Sequence, residues 1–194
     1  MNKIYRNYAD VRSQISDADV LLYRGDRWYE RLIGIAGRSN YCHAGMAAWW
    51  HGRVHVLQET AFDDHKPLFS EVLRTFPGEI DVYGPYLGAF DRDLITKEMI
   101  EIVGQKYGWR NLAATIARHL PMLAGFVRPT LDDEAKSKYP PFCSAAVSRA
   151  FRVAGIDLVP NLSDDDTEPA DLSRSGFLAY RFTIKSAKKT TKGI

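Results

Sequence analysis

The apolar positions change period several times along the chain, and each change marks an element. Residues 19–25, DVLLYRG, form a short apolar run closed by glycine, the pattern of a buried strand. WYERLIGIAG, 28–37, reads as a short helix or turn with aromatic and aliphatic anchors. HAGMAAWW and VHVLQET flank HGR, and a glycine between two apolar runs predicts a hairpin with 51–53 as its turn. EVLRTFPGEIDVYGP, 71–85, reads as a helical turn, a proline–glycine break and a strand. Leu94, Ile95, Met99, Ile102 and Val103 recur at helical spacing within 94–108, and 111–127 reads as an apolar helix kinked at Pro121.

A polar connector, LDDEAKSKYPP, then leads into FCSAAVSRAFRVAG, where Cys143, Val147, Ala150, Phe151 and Ala154 share one helical stripe and Gly155 supplies the C-cap. An acidic loop, NLSDDDTEPADLSRS, carries a proline suited to start a helical turn at 169–174, and FLAYRFTI closes the fold as a strand. Strands gather early and helices late, which predicts an α+β fold rather than a βαβ winding.

Composition sharpens this only in part. At 194 residues, 45% hydrophobic and 26% charged, the chain can bury a sizeable core in one domain. The formal charge is +2, yet four of the 26 basic residues lie in the last ten positions; removing those four leaves 22 against 24 acidic residues, a net of −2. The expectation is therefore one domain over 1–184 with a basic, disordered tail over 185–194, and no nucleic-acid partner. The opening residues lack a signal-peptide pattern, and no run reaches the roughly 18 apolar residues of a membrane span. Two cysteines are too few for a disulfide framework. A reducing, cytoplasmic setting without membrane insertion is the corresponding expectation.

The two cysteines occupy different positions. Cys143 follows PPF and opens a helix, where unpaired backbone N–H groups can lower a thiol's pKa. Cys42 begins a strand and, by alternation, points away from the face of His43. A metal site built from Cys42, His43, His51 and His55 lacks a second paired ligand set, so neither metal nor cofactor is expected. Across the hairpin, His43 falls opposite residues 59–61, which brings Gln58, Glu59 and Thr60 near it. Glu59 is the expected orienting carboxylate, because Gln58 alternates to the other face. His51, His55, His65 and His119 read as solvated or structural.

HAGM on one strand, VLQET on the next and the proline-led FCSAAVSRAFRVAG helix resemble the circularly permuted branch of the NlpC-type, papain-like superfamily, the YiiX/YaeF-like group. In that branch the histidine strand precedes the cysteine helix, as it does here. The likeness runs from about residue 17 to about 175, with DADVLLYRG as the opening strand and QKYG as the tyrosine segment before the cysteine helix. It implies a permuted papain-like fold, an antiparallel sheet or barrel packed on the nucleophile helix. It also implies Cys143 as nucleophile, His43 as base and then acid, Glu59 as orienter, and Tyr107 and Tyr23 lining the substrate site. Residues 109–138 exceed the family's linker and read as an insertion or lid.

The activity this implies is a cysteine amidase or peptidase acting on peptidoglycan peptides or related amides. Two alternatives stay open: acyl transfer or (thio)ester hydrolysis on lipid, and a catalytically idle binding or virion-structural module. Wall cutting by a cytoplasmic protein would call for a phage-associated setting or a non-classical export route.

Overall fold

The computed structural model describes residues 2–25, 40–59, 66–86, 91–103 and 142–186. The expected helices over 28–37 and 111–127, the insertion over 109–138, Tyr107, His65, His119 and all but the first two residues of the basic tail lie outside them.

The chain is α+β. Strand β1 (Tyr5–Arg6) and helix α1 (Tyr8–Val11) precede β2 (Val20–Gly25), β3 (His43–Trp50) and β4 (Arg53–Leu57). Helix α2 (Phe69–Thr75), β5 (Gly78–Pro85) and α3 (Arg92–Ile102) follow. After them come α4 (Cys143–Val153), the single turn α5 (Pro169–Leu172) and β6 (Leu178–Lys185). The sheet order is β1-β6-β5-β2-β3-β4, antiparallel throughout except for the β1–β6 pair. No helix among the described residues is long and apolar enough to cross a membrane.

Both faces of the sheet are covered, which explains why HAGMAAWW is nearly continuously apolar rather than alternating. On one face Val20, Leu22, Ala44, Met46 and Ala48 meet Ile95 and Met99 of α3 and Ala146, Val147, Ala150 and Phe151 of α4. On the other, Leu21, Tyr23, Ala47, Val56, Ile80 and Val82 meet Phe69, Val72 and Leu73 of α2 and Val11 and Ile15 near the N-terminus. Alternation along each strand thus feeds two cores, and burial of these side chains supplies the main driving force for folding.

The hairpin turn has two residues, not the three expected. His51 and Gly52 both have positive φ, 48° and 72°, as a type I′ turn requires. Trp50 pairs with Arg53 and Met46 with Leu57. A three-residue turn would shift β4 by one position, and a one-residue shift moves every side chain to the opposite face.

Buried charges anchor the ends of the sheet. Asp19, fully buried, accepts from Arg181 at 2.7 Å, from Arg92 at 3.1 Å and from the Ser16 backbone N–H at 2.9 Å. Burial raises its pKa against the pull of those partners. Asp81 gathers Arg24 at 2.5 Å, Tyr41 at 2.7 Å and Thr183 at 2.6 Å. Through Tyr41, which also meets the Tyr83 hydroxyl at 3.0 Å, this cluster ties the start of β3 to the centre of the sheet.

Candidate active site

Cys143 is the first residue of α4, and Phe142, the residue before it, is extended. The helix forms because alanines and longer apolar residues alternate with Ser144, Ser148 and Arg152 on a second, polar stripe. That stripe grips the acidic loop. Ser144 Oγ donates to the Thr167 carbonyl at 2.8 Å, Ser148 Oγ to Asp164 at 2.6 Å, and Arg152 Nε to the other Asp164 oxygen at 2.6 Å. Arg149 pairs with Asp165. The run DDD, read from sequence as a plain acidic loop, is in fact bound along the helix that carries the thiol. The spacing of Ser144, Ser148 and Arg152 at every fourth residue is the signal that could have predicted it.

The Cys143 side chain is buried, with 5% exposure. Burial pushes the thiol pKa up. The opposing effects of the His43 charge, a hydrogen bond with His43 and the backbone N–H groups of Ala44 and Ser144 outweigh it, so the pKa lies below its ordinary value. The expected helix-terminus device is therefore present, and the histidine joins it from β3.

His43 opens β3 opposite Tyr23 of β2. Its Nε2 lies 3.1 Å from Oε1 of Gln58. An amide oxygen can only accept, so Nε2 carries the proton and Nδ1 is the ring atom left for the thiol. Tyr23 Oη adds a long 3.4 Å contact to the same amide oxygen, and its ring packs edge-on against the imidazole with centroids 5.0 Å apart.

The group on Nε2 is therefore Gln58, and the assignment of that position to Glu59 is corrected. The two-residue turn accounts for it: extending the observed register puts Gln58 opposite Gly45, on the His43 side. A Cβ at Gly45 would sit 3.0 Å from Val56 Cγ1 and 3.5 Å from Gln58 Cβ. Glu59, 1% exposed, falls one residue out of phase. Tyr23, expected as a substrate contact, is 3% exposed and belongs to the second core. Burial raises its phenol pKa, with Cys42 and Cys143 adding to the rise, so it stays a protonated donor. Cys42 precedes β3 and packs in that same core, with Sγ donating to the Tyr23 carbonyl at 3.4 Å.

No protein-family profile matches the chain, and no curated protein sequence does. Among solved structures, the metalloprotein YiiX from Escherichia coli O157:H7, of a family designated DUF1105, shares the fold. Its TM-score is 0.52 at 11% identity, over 87% of this chain and 97% of that one. At such identity the likeness concerns architecture alone, and it agrees with the YiiX-like order of elements.

The residues here do not fit a metal. Cys42 is engaged with the Tyr23 carbonyl, His43 with Gln58, and His55 donates from Nδ1 to the Lys66 carbonyl at 3.0 Å. His51 sits on the turn at the other end of β3. Among the described residues no group of three His, Cys, Asp or Glu side chains converges.

Proposed function

We propose that the chain is a cysteine-dependent amidase or peptidase of circularly permuted papain-like architecture, acting through Cys143, His43 and Gln58. The observation that carries this reading is the Cys143 thiol at the first turn of α4, hydrogen-bonded to His43, with its pKa lowered despite burial.

The chemistry follows from those contacts. The Cys143 thiolate attacks the carbonyl carbon of an amide. Charge developing on the carbonyl oxygen is met by N–H groups of the helix's first turn, where the backbone has no intrahelical partners. His43 gives its Nδ1 proton to the leaving amine as the C–N bond breaks. Water then attacks the thioester, His43 takes up the proton, and the acid departs with return of the thiolate. Gln58 keeps the ring in the tautomer these transfers need. Peptidoglycan peptides are the substrate class that the family resemblance favours.

The test offers purified muropeptides and a lipid acyl donor side by side to the protein and reads products by mass spectrometry. Hydrolysis of muropeptides that disappears in Cys143→Ala and survives in Cys42→Ala is the expected result. A stable long-chain adduct on Cys143 with muropeptides untouched would reassign the activity to acyl transfer. Turnover undiminished in Cys143→Ala would overturn the nucleophile.

A further inference from the structure

At the far end of the same hairpin lies a cavity of about 280 Å³. Eight residue steps along β3 separate it from His43, roughly 25 Å at a strand's rise per residue. Arg12, Arg53, His51, Tyr8, Ser70 and Val54 are among the residues that line it. Among the described residues no carboxylate lines it.

Among the described residues Arg24, Arg92, Arg149, Arg152, Arg174 and Arg181 are each paired with a carboxylate. Arg6, Arg12, Arg53 and Arg74 are not, and of these four Arg12 and Arg53 line this one cavity. Arg12 is also held in place from both sides. It donates to the Gly52 carbonyl and lies over the Trp49 ring with its guanidinium carbon 5.3 Å from the centroid. Trp49 is fixed in turn by its indole N–H, which donates to the Ile15 carbonyl at 2.8 Å. A guanidinium stacked on an indole, with N–H groups still unused, has already lost much of the rotamer freedom that binding would otherwise cost. Burial raises the Tyr8 phenol pKa, so its hydroxyl is a donor as well.

We propose that this cavity binds a phosphate monoester. A tetrahedral dianion offers enough acceptor oxygens to engage two guanidinium forks and two hydroxyls together, whereas a single carboxylate would leave several donors unused. The volume admits a phosphate with a small attached group. The phosphate belongs to a soluble ester or to a lipid headgroup, and its place beyond the catalytic end makes it a second, independent contact.

Calorimetric titration with glycerol 3-phosphate, and co-sedimentation with phosphatidylcholine vesicles with and without phosphatidic acid, test the site on the full chain. Saturable binding of glycerol 3-phosphate, weakened at least about tenfold in Arg53→Gln, assigns a soluble ester. Binding to phosphatidic acid vesicles alone, lost in Arg53→Gln and competed by inorganic phosphate, assigns a headgroup. Arg12→Gln should act in the same direction, but Arg12 also packs on Trp49, so the exposed Arg53 carries the decision, with circular dichroism confirming its fold. Absence of binding to both probes, or affinity unchanged in Arg53→Gln, overturns the site. Muropeptide turnover is not part of the readout, so failure here leaves the catalytic proposal standing.

Discussion

The amide oxygen of Gln58 sits 3.1 Å from Nε2 of His43, and the Tyr23 hydroxyl approaches that same oxygen at 3.4 Å. A neutral acceptor orients an imidazole without supplying a countercharge. The pair therefore fixes which nitrogen faces Cys143 and leaves the charge of the imidazolium to be balanced by the thiolate. Gln58→Ala should lower kcat on the order of 10²-fold, the scale of a misdirected catalytic group, with little change in KM. Tyr23→Phe keeps the ring against His43 and removes one long contact, so a loss of about 2- to 10-fold is expected. Glu59→Gln should stay within about threefold of wild type. A larger loss from Glu59→Gln than from Gln58→Ala in steady-state kinetics would return the orienting role to the carboxylate.

The thiol predicts a pH profile. An unperturbed cysteine titrates near 8.5 and is only a few per cent thiolate at neutral pH. Cys143 lies lower because the effects of His43 and two backbone N–H groups exceed the burial penalty. The sign is then fixed: the thiolate forms at lower pH than in a free cysteine, so alkylation by iodoacetamide should rise and level off below pH 8.5. In His43→Ala the burial penalty remains and the largest opposing influence is gone, so the profile should move upward past that of a free thiol. Peptide mapping after a pH series separates Cys143 from Cys42. A Cys143 profile centred at or above the ordinary thiol value in the unaltered protein would contradict the arrangement.

How far the sequence could be read depended on what each pattern encodes. The apolar stripe of 143–154 placed Cys143 on the first turn of its helix because period and flanking prolines are local signals. His43 was likewise legible from a strand pattern beside a turn. Its partner was not, because choosing between Gln58 and Glu59 needs the register, and the register depends on whether HGR contributes two or three residues to the turn. His51 decides this by taking up a positive φ of 48°, a conformation a non-glycine residue rarely adopts. The grip of Asp164 on Ser148 and Arg152 was hidden for another reason: residues 12 to 16 positions apart meet only once the chain has folded back on the helix.

Gly45 provides a geometric probe of the orienting contact that leaves every polar group in place. A methyl there would press on Val56 Cγ1 at 3.0 Å and on the Leu57 carbonyl at 3.1 Å, and reach Gln58 Cβ at 3.5 Å. The backbone oxygen cannot yield cheaply, so β4 must shift or Gln58 must move. Gly45→Ala should cost about 1–3 kcal/mol in urea denaturation, as overpacking does. It should also reduce turnover by more than that stability loss explains at temperatures where the variant is folded. Full activity in a folded Gly45→Ala protein would mean that His43 tolerates a displaced Gln58.

The acidic loop holds α4, the helix that carries Cys143, through Asp164. Asp164 is 5% exposed and accepts from Ser148 at 2.6 Å and from Arg152 at 2.6 and 3.0 Å. Replacing it with alanine strands the buried Ser148 hydroxyl and leaves the Arg152 guanidinium to Asp157, 3.1 Å away, whereas removing only the hydroxyl of Ser148 leaves Asp164 with Arg152. Asp164→Ala should therefore destabilise the fold by about 1–3 kcal/mol, and Ser148→Ala by about 1 kcal/mol. Both act along the middle and end of the helix, so the first turn keeps its Ser144 hydroxyl on the Thr167 carbonyl. The rate of Cys143 alkylation at fixed pH should accordingly stay within about twofold in Ser148→Ala and fall further in Ser144→Ala, which releases the turn that carries the thiol. Equal alkylation rates in the two serine variants, measured with stability matched by temperature, would show that the acidic loop supports the helix without positioning its first residue.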